Sequence, residues 1–452
     1  MKKENDPRVL ALESLLRADK AGRYINIESD SSIKRSNMSE ADVSLYTSLV
    51  YGVTERRITL DYIIGLMSKN GLKHIEPRVL MILRLGLYQL MFLDRIPAHA
   101  AVNETVSLCK SKGETSFVNA ILRNYQRNGD KIVKYPSEKE HPARFLSICY
   151  SFPEWITESF ISDYGYENAK GICSAMSDRP PCVTLRINTL KTNPATFKEK
   201  LTELGFSYTD GIYTDSAIKL AEGSKISDIF GYEEGLFFVQ DEASQISSRV
   251  LAPVPDSIVI DVCACPGSKS FGASIEMKGK GKVYSFDLHE NKLSLVTSSA
   301  RRLGIENIEV SKRDARDPVP ELIGSADAVI CDVPCSGLGV MAKKPDIRYK
   351  KQEDVEKLAS LGLSILSQSS VYVKAGGTLL YSTCTLRADE NEKTVDKFLS
   401  VHPEFSLCPF SIKSKDGAHP DIESDGTLTL FPHVHSTDGF FMAKMIRSYK
   451  KG

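Results

Sequence analysis

The sequence predicts a multidomain protein: an all-α amino-terminal domain, a small α/β module in the middle, and a larger carboxyl-terminal α/β domain built on a parallel sheet. Three observations carry this. The chain has 452 residues, more than one ordinary hydrophobic core organises. Apolar residues recur at helical spacing as far as about residue 130. From Ser257 onward, near-continuous apolar runs alternate with amphipathic ones, as in a sheet covered by helices on both faces.

In the first part, Val9, Leu12, Leu15 and Leu16 mark one apolar helix face, and Val102, Val106, Leu108 and Cys109 another. Gly71, Pro77 and Pro97 fall between periodic segments and mark helix boundaries. The most apolar run, "VLMILRLGLYQLMFL" from Val79 to Leu93, is shorter than the roughly 20 residues a membrane span needs and carries Arg84. It reads as a buried helix. The polar, proline-bearing stretch from Gly129 to Phe145 reads as a linker. The helical domain is therefore placed at 1–135, with a linker and a helical segment around "FPEWITESFISDYG" at 136–180. In the module at 181–255, the β-rich "PCVTLRINTL" and "GLFFVQ" flank the amphipathic "PATFKEKLTELGF". The last domain, 256–450, runs strand "SIVIDV", turn "CACPGSKS", strand "KVYSFDL", helix "NKLSLVTSSARRLG", strands "IEVSKRDA" and "ADAVICDV", a long helix ending near Lys374, and strand "TLLYSTCT".

Composition sets outer bounds. Hydrophobic residues at 42% and charged residues at 26% are ordinary for a globular chain and argue against extensive disorder. The opening "MKKENDPRVLALESLL" lacks the continuous apolar run of a secretion signal, so export is not expected. Ten scattered cysteines without such a signal fit a reducing cytoplasm with free thiols. The net formal charge is zero, yet residues 1–140 hold 22 Lys and Arg against 17 Asp and Glu. That mild excess is compatible with RNA binding, and an ordinary solvated surface is its commoner reading.

The strand ends carry the chemistry, because ligands of such sheets bind where parallel strands terminate. After "SIVIDV", the turn Cys263, Ala264, Cys265, Pro266, Gly267, Ser268, Lys269 leads into a helix, and Gly267 lets the backbone come close to a ligand. The turn is not a G-x-G-x-x-G fingerprint, which counts against a nicotinamide dinucleotide. Twenty residues beyond Gly267, Asp287 ends the strand "KVYSFD", where a carboxylate accepts hydrogen bonds from a ribose diol; helix capping is its other role. Asp314, in "KRDARD", is placed to reach the base of the same nucleoside, or to cap a loop. A nucleoside site without a phosphate loop points to S-adenosylmethionine.

Two later strand ends offer thiols: Cys335 in "DVPCSGLG", beside Asp332, and Cys384 in "YSTCTL". Either is a nucleophile or a small core residue. Zinc is the rival use for Cys263, Cys265, Cys331 and Cys335. Their C-x-C and C-x3-C spacings are not those of zinc knuckles, and alternation turns Cys331 into the sheet, so no metal is expected.

In order and spacing, "CACPGSKS", "YSFDLHENKL", "DVPCSGLG", "KKPDIRYK" and "YSTCTL…ENE" resemble the motifs of RNA cytosine-5 methyltransferases of the NOL/NOP/Sun class. "FVNAILRN" (Phe117 to Asn124), "FPEW", "VQDEASQ" and "STDGFFMAKM" extend the resemblance over nearly the whole chain, to the bacterial RsmB (Sun, Fmu) type. The departures lie in the first motif, usually C-A-A-P-G-G-K-T: Cys265, Ser268 and Ser270 replace an alanine, a glycine and a threonine. Val333 stands where many relatives have proline or alanine.

The resemblance implies a NusB-like RNA-binding domain, an RRM-like middle module and a Rossmann-like S-adenosylmethionine-dependent methyltransferase domain. It implies methylation of carbon 5 of one cytosine in 16S ribosomal RNA by a monomer that uses neither metal nor membrane. By the same resemblance Cys384 attacks carbon 6, Cys335 assists product release and Asp332 donates to the ring nitrogen N3. Burial is expected to keep a proton on Asp332 for that task. The turn 263–269 with Asp287, Asp314 and Asp332 would hold the cofactor. Arg123 and Arg127 on one helix face, and Lys344 and Arg348 in "KKPDIRYK", are the expected RNA contacts. A transfer RNA substrate and a non-catalytic RNA-binding assembly factor are the alternatives; the latter requires loss of Cys384, Asp332 or the cofactor aspartates, and all are present.

Overall fold

The computed structural model describes residues 5–22, 24–178, 182–220 and 226–449. Its contacts divide the chain into two units, Met1–Arg179 with Met341–Tyr349, and Pro180–Val340 with Lys350–Gly452. The expected boundary at 180–181 lies outside the described residues.

The first unit is helical. Its opening helix, Pro7–Ala21, starts where the Asp6 carboxylate accepts from the amides of Arg8 and Val9, and stops at Gly22 in the left-handed region. Pro77 heads the helix Pro77–Phe92, and Pro97 precedes Ala98–Val106, as their positions between periodic segments predict. Tyr46, Leu49, Ile63, Ile82, Leu85, Val102, Val118 and Leu122 fill one core. Arg84 sits in that core with its guanidinium on both Asp61 oxygens at 2.6 and 2.8 Å, which answers its charge and confirms a buried helix. The helical segment expected around "FPEWITESFISDYG" is present, and the expected linker, 129–145, is itself helical at both ends. The helix Lys112–Ile132 runs into it, and Pro142–Tyr150, Glu154–Tyr164 and Tyr166–Ser177 follow.

In the second unit the strands, in chain order, begin with β1 (Val183–Ile187), β2 (Tyr208–Asp210), β3 (Ala217–Leu220) and β4 (Phe237–Val239). These pair antiparallel in the order β2-β3-β1-β4 and pack on the helix Pro194–Glu203 through Leu185, Ile187, Phe197, Leu201, Ile218 and Phe237. The two short strands β2 and β3 have no counterpart in the sequence-based assignment, being too brief to show alternation.

The principal sheet is built from β5 (Ile258–Asp261), β6 (Lys282–Asp287), β7 (Ile308–Lys312), β8 (Ala326–Asp332) and β9 (Val373–Thr383), all parallel. After β10 (Phe405–Leu407) and the separate hairpin β11 (Phe410–Ile412) and β12 (Ile422–Ser424), β13 (Thr427–Leu430) and β14 (Phe440–Arg447) return to it. The order is β10-β14-β9-β8-β5-β6-β7, with β13 also on β14. The expected parallel sheet therefore carries an antiparallel edge that its apolar runs alone do not reveal. The long helix closes at Ser369, and β9 already begins at Val373. From β5 the chain winds outward through β6 to β7, then crosses back to β8 on the other side of β5. That reversal makes the ends of β5 and β8 the switch point where ligands of open α/β sheets bind.

Candidate active site

Asp332 ends β8, and Cys384 follows the last residue of its neighbour β9; the register pairs Asp332 with Ser382. Parallel pairing thus delivers the acid and one thiol to the same end of the sheet. The chain after Asp332 turns through Pro334, and the Cys335 and Cys384 sulfurs come to 3.2 Å from each other, sharing one hydrogen bond. Two contacts pin the turn: the Gly339 amide donates to the Cys384 carbonyl at 2.9 Å, and the Gly439 amide donates to the Gly339 carbonyl at 2.9 Å. A β-carbon on Gly339 would lie 1.9 Å from the Gly439 carbonyl oxygen, so only glycine fits.

A buried polar frame supports both thiol loops. Ser336 donates its amide to Glu390 at 2.8 Å and shares a hydroxyl hydrogen bond with Thr385 at 2.7 Å. Asn391 accepts from Thr383 and donates to the Thr385 carbonyl. Glu390 and Asn391 belong to the "ENE" run; the sequence shows the motif but not that its side chains hold the loops. Cys335 keeps its proton well above the usual thiol range, because of the hydrogen bond with Cys384, then burial, then the Cys384 charge.

Asp332 is not the isolated buried acid expected from sequence. Its side chain is 28% exposed, its Oδ2 lies 2.6 Å from Lys269 Nζ, and its Oδ1 accepts from Ser382 Oγ at 2.8 Å. Lys269, expected on the cofactor, places its ammonium on Asp332 and over the Phe440 ring at 5.2 Å. Phe440 and Ser382 complete this corner. Neither carries a spacing signal of its own; register alone brings them in.

On the other side of the switch point, Gly267 sits at φ 110° and opens the helix Ser268–Glu276. Asp287 receives the Cys265 amide on one oxygen at 3.2 Å and the His289 amide on the other at 2.9 Å, so it ties the turn to β6 as well as capping the next segment. Burial, then Asp287, pushes the Cys265 thiol to about 12. Asp314 is clamped by Arg316 through two guanidinium bonds at 3.0 and 2.6 Å, which with the Arg316 amide lowers it to about 2. Beside it lies a cleft of about 500 Å³ lined in part by Leu288, Asp314, Pro318 and Val319. Cys331 points into the core and is fully buried, as strand alternation predicts.

One residue not singled out from the sequence is Asp261, at the end of β5. It is wholly buried and accepts from Ser270 Oγ at 2.7 Å, itself bonded by Ser285. Burial raises it to about 7, against the Ser270 bond; Asp332 pushes the same way and Lys269 opposes. Since the folded value exceeds the unfolded one, the native state holds this proton after the unfolded chain has lost it, and stability falls as pH rises toward 7. Asp261→Asn should therefore flatten the pH dependence of unfolding, removing about 2 kcal/mol of loss between pH 5 and pH 7. Denaturant melts of both proteins at several pH values check this; parallel curves contradict it.

Of the expected RNA contacts, Arg127 is exposed, Arg123 is half-buried and donates to Asn103 and Gln126, and Lys344 is exposed. Arg348 is a correction. Its side chain is fully buried within the helical unit and bonded to backbone carbonyls, so no phosphate reaches it. Lys350, another lysine of that run, spends its ammonium on the Ser336 carbonyl at 2.8 Å.

Strand-end carboxylates facing paired thiols across a switch point belong to a recognisable class, the cytosine-5 RNA methyltransferases, and comparison with known proteins agrees. The family models that match are the NusB family over 5–127, a ferredoxin-like domain of RsmF/B-like methyltransferases over 152–227, and the 16S rRNA methyltransferase RsmB/F over 248–446. A protein of Bacillus subtilis named "Probable ribosomal RNA small subunit methyltransferase B" is 37% identical over 450 residues, covering 98% of this chain and 99% of its own. "Ribosomal RNA small subunit methyltransferase B" of Escherichia coli is 29% identical, over 99% of this chain and all of the other. Among solved structures, PH0851 superposes with a TM-score of 0.78 at 26% identity, over 98% of this chain and 99% of that one. A methyltransferase homologue from Pyrococcus horikoshii gives a TM-score of 0.58 at 25% identity, over 69% and 100%. The chain belongs to the RsmB family of 16S ribosomal RNA methyltransferases. No helix among the described residues is long and apolar enough to cross a membrane.

Proposed function

We propose that the protein transfers a methyl group from S-adenosylmethionine to carbon 5 of one specific cytosine in 16S ribosomal RNA, through a covalent bond between Cys384 and carbon 6. The observation that carries this is the meeting of two thiols, 3.2 Å apart, on loops flanking Asp332. Family membership and the NusB match support a ribosomal RNA substrate.

The residues at the switch point fit the cofactor. Asp287 and Asp332 put partly exposed carboxylates at the strand ends, which suit a cationic sulfonium better than a pyrophosphate. Leu288, Pro318 and Val319 offer apolar walls for a flat base beside Asp314, and Asp287 has lone pairs left for a diol. Gly267 and the turn 263–269 bring backbone amides close. Bound S-adenosylmethionine supplies a methyl group activated by a positively charged sulfur.

Carbon 5 of cytosine is a poor nucleophile until carbon 6 carries an electron-donating adduct. The Cys384 sulfur forms that bond, and the ring becomes an enamine whose carbon 5 takes the methyl group. The ion pair of Asp332 and Lys269 would address N3, the Lys269 ammonium supplying a proton to the ring as negative charge builds there. With its sulfur bonded to carbon, Cys384 no longer holds the Cys335 thiol in their shared hydrogen bond, the largest cause of its raised pKa. Cys335 then gives its proton to solvent and, as thiolate, takes the hydrogen from carbon 5; the carbon–sulfur bond breaks, Cys384 leaves as thiolate, N3 returns its proton to the Asp332–Lys269 pair, and the aromatic ring is restored. The base must be unstacked to reach these groups, as in a loop or a flipped nucleotide.

Bisulfite sequencing of ribosomal RNA from cells with and without the gene tests the assignment. One 16S cytosine should lose its mark in the deletion and regain it on complementation. An unchanged 16S pattern refutes the substrate, and a lost transfer RNA mark would move it there.

A further inference from the structure

The Cys335 and Cys384 sulfurs are 3.2 Å apart, and a disulfide bond is about 2.05 Å long. Their loops also run side by side, within one unit of the chain. One residue further along each, Ser336 and Thr385 share a hydroxyl hydrogen bond at 2.7 Å, and the Gly339 amide donates to the Cys384 carbonyl at 2.9 Å. The Ser336 amide donates to Glu390 at 2.8 Å and closes the same frame. The two thiols therefore meet on loops that are already tied together, so the gap between the sulfurs closes by rotation of the cysteine side chains. Both residues are partly exposed, whereas Cys173 and Cys331 are buried in the core.

The proposed reaction uses these thiols one at a time, as nucleophile and as base, and does not require the base to be a thiol. A carboxylate or an imidazole also takes a proton from carbon. On acidity alone Cys335 is a poor base, since the hydrogen bond with Cys384 and burial hold its proton well above the usual thiol range. What a thiol adds, and those other bases lack, is the capacity to bond to sulfur.

We infer that the pair is a redox switch: a hydroperoxide joins Cys335 to Cys384 as a disulfide, which turns methyl transfer off until a thiol reductant reopens it. Cys384, the proposed nucleophile, attacks the peroxide as thiolate; the oxygen–oxygen bond breaks, sulfenic acid forms on Cys384, and the departing hydroxide takes up a proton to become water. Cys335 then attacks that sulfur. The sulfur–sulfur bond forms, the sulfur–oxygen bond breaks, and the hydroxide released takes the Cys335 proton as water. Two thiols give up two electrons, and the peroxide receives them. No sulfur is then free to bond carbon 6, so the loss of activity rests on the two-thiol reaction above. The disulfide also keeps Cys384 from going on to sulfinic acid, from which thiols do not recover it.

The test uses the full chain, reduced and then treated with excess hydrogen peroxide, a 16S RNA fragment and methyl-labelled S-adenosylmethionine. Wild type should yield a cross-linked peptide joining Cys335 to Cys384 and slow by at least roughly ten-fold, with dithiothreitol restoring the rate. Cys335→Ala lacks the thiol that closes the bond, and its readout is the denaturant-resistant protein–RNA adduct. Peroxide should abolish that adduct, and dithiothreitol should not restore it, because Cys384 has passed to sulfinic acid. Sulfinic acid at Cys384 of wild type, a disulfide to a different cysteine, or recovery of Cys335→Ala as complete as that of wild type overturns the inference. A Cys335–Cys384 disulfide that forms and reopens without changing the rate refutes the two-thiol reaction and, with it, the off-state.

Discussion

Cys384→Ala is expected to abolish methyl transfer, lowering the rate by on the order of 10⁴-fold or more, because the group that forms the covalent bond has no substitute. Asp332, Lys269 and the cofactor turn remain, so cofactor binding should persist. Cys335 does not take over, although its sulfur is only 3.2 Å away. It is tied to the Asp332 side of the site, and the Gly339 amide fixes the opposing loop through the Cys384 backbone carbonyl, which alanine retains. The check is an RNA carrying 5-fluorocytosine at the target. Fluorine cannot leave carbon 5 as a cation, so wild type accumulates a stable adduct after one methyl transfer. Cys384→Ala should form none. An adduct in that variant would give the attacking role to another residue.

Much of this site is legible in the sequence because strand ends are. A run such as "ADAVICD" announces a buried parallel strand, and whatever follows it must lie at the ligand edge; Asp287, Asp332 and Cys384 were found that way. Contacts made by register were not legible. Nothing in "YSTC" says that Ser382 bonds Asp332, nor in "DGFF" that Phe440 lies under Lys269, since the first depends on β9 pairing parallel to β8 and the second on β14 pairing antiparallel to β9. Burial of charge departs from the sequence-based expectation in both directions. Arg348 looked like a surface phosphate contact and is the most enclosed cation of its unit's helix ends, whereas Asp332 looked enclosed and is ion-paired at a partly open edge. The sequence does not single out Asp261, because a carboxylate in "VIDVC" looks like any strand-end acid. Its position at the centre of the sheet, between β6 and β8, is what buries it. Charge identity is local in sequence, but the solvent around a charge is set by the whole fold.

Cys335→Ala should give the opposite of Cys384→Ala: near-normal formation of the bond to RNA and a failure to break it. Its thiol is held protonated first by the hydrogen bond with Cys384 and then by burial, and the first of these ends when the Cys384 sulfur is bonded to carbon. Adduct formation therefore removes the largest of the influences that keep Cys335 protonated, which favours attack first and release second. With alanine at 335, the adduct forms and is methylated, but the hydrogen on carbon 5 has no acceptor at the right place. Unmodified RNA and S-adenosylmethionine should then leave a large fraction of the variant as a denaturant-resistant complex, with steady-state turnover falling by roughly 10²-fold or more, the usual worth of a positioned general base. Raising the pH should not rescue it, because the missing group, not its protonation, limits the step. A complex accumulating in Cys384→Ala rather than in Cys335→Ala would reverse the two roles, and the hydrogen-bond argument with them: the sulfur that attacks must be the one whose bonding frees the other.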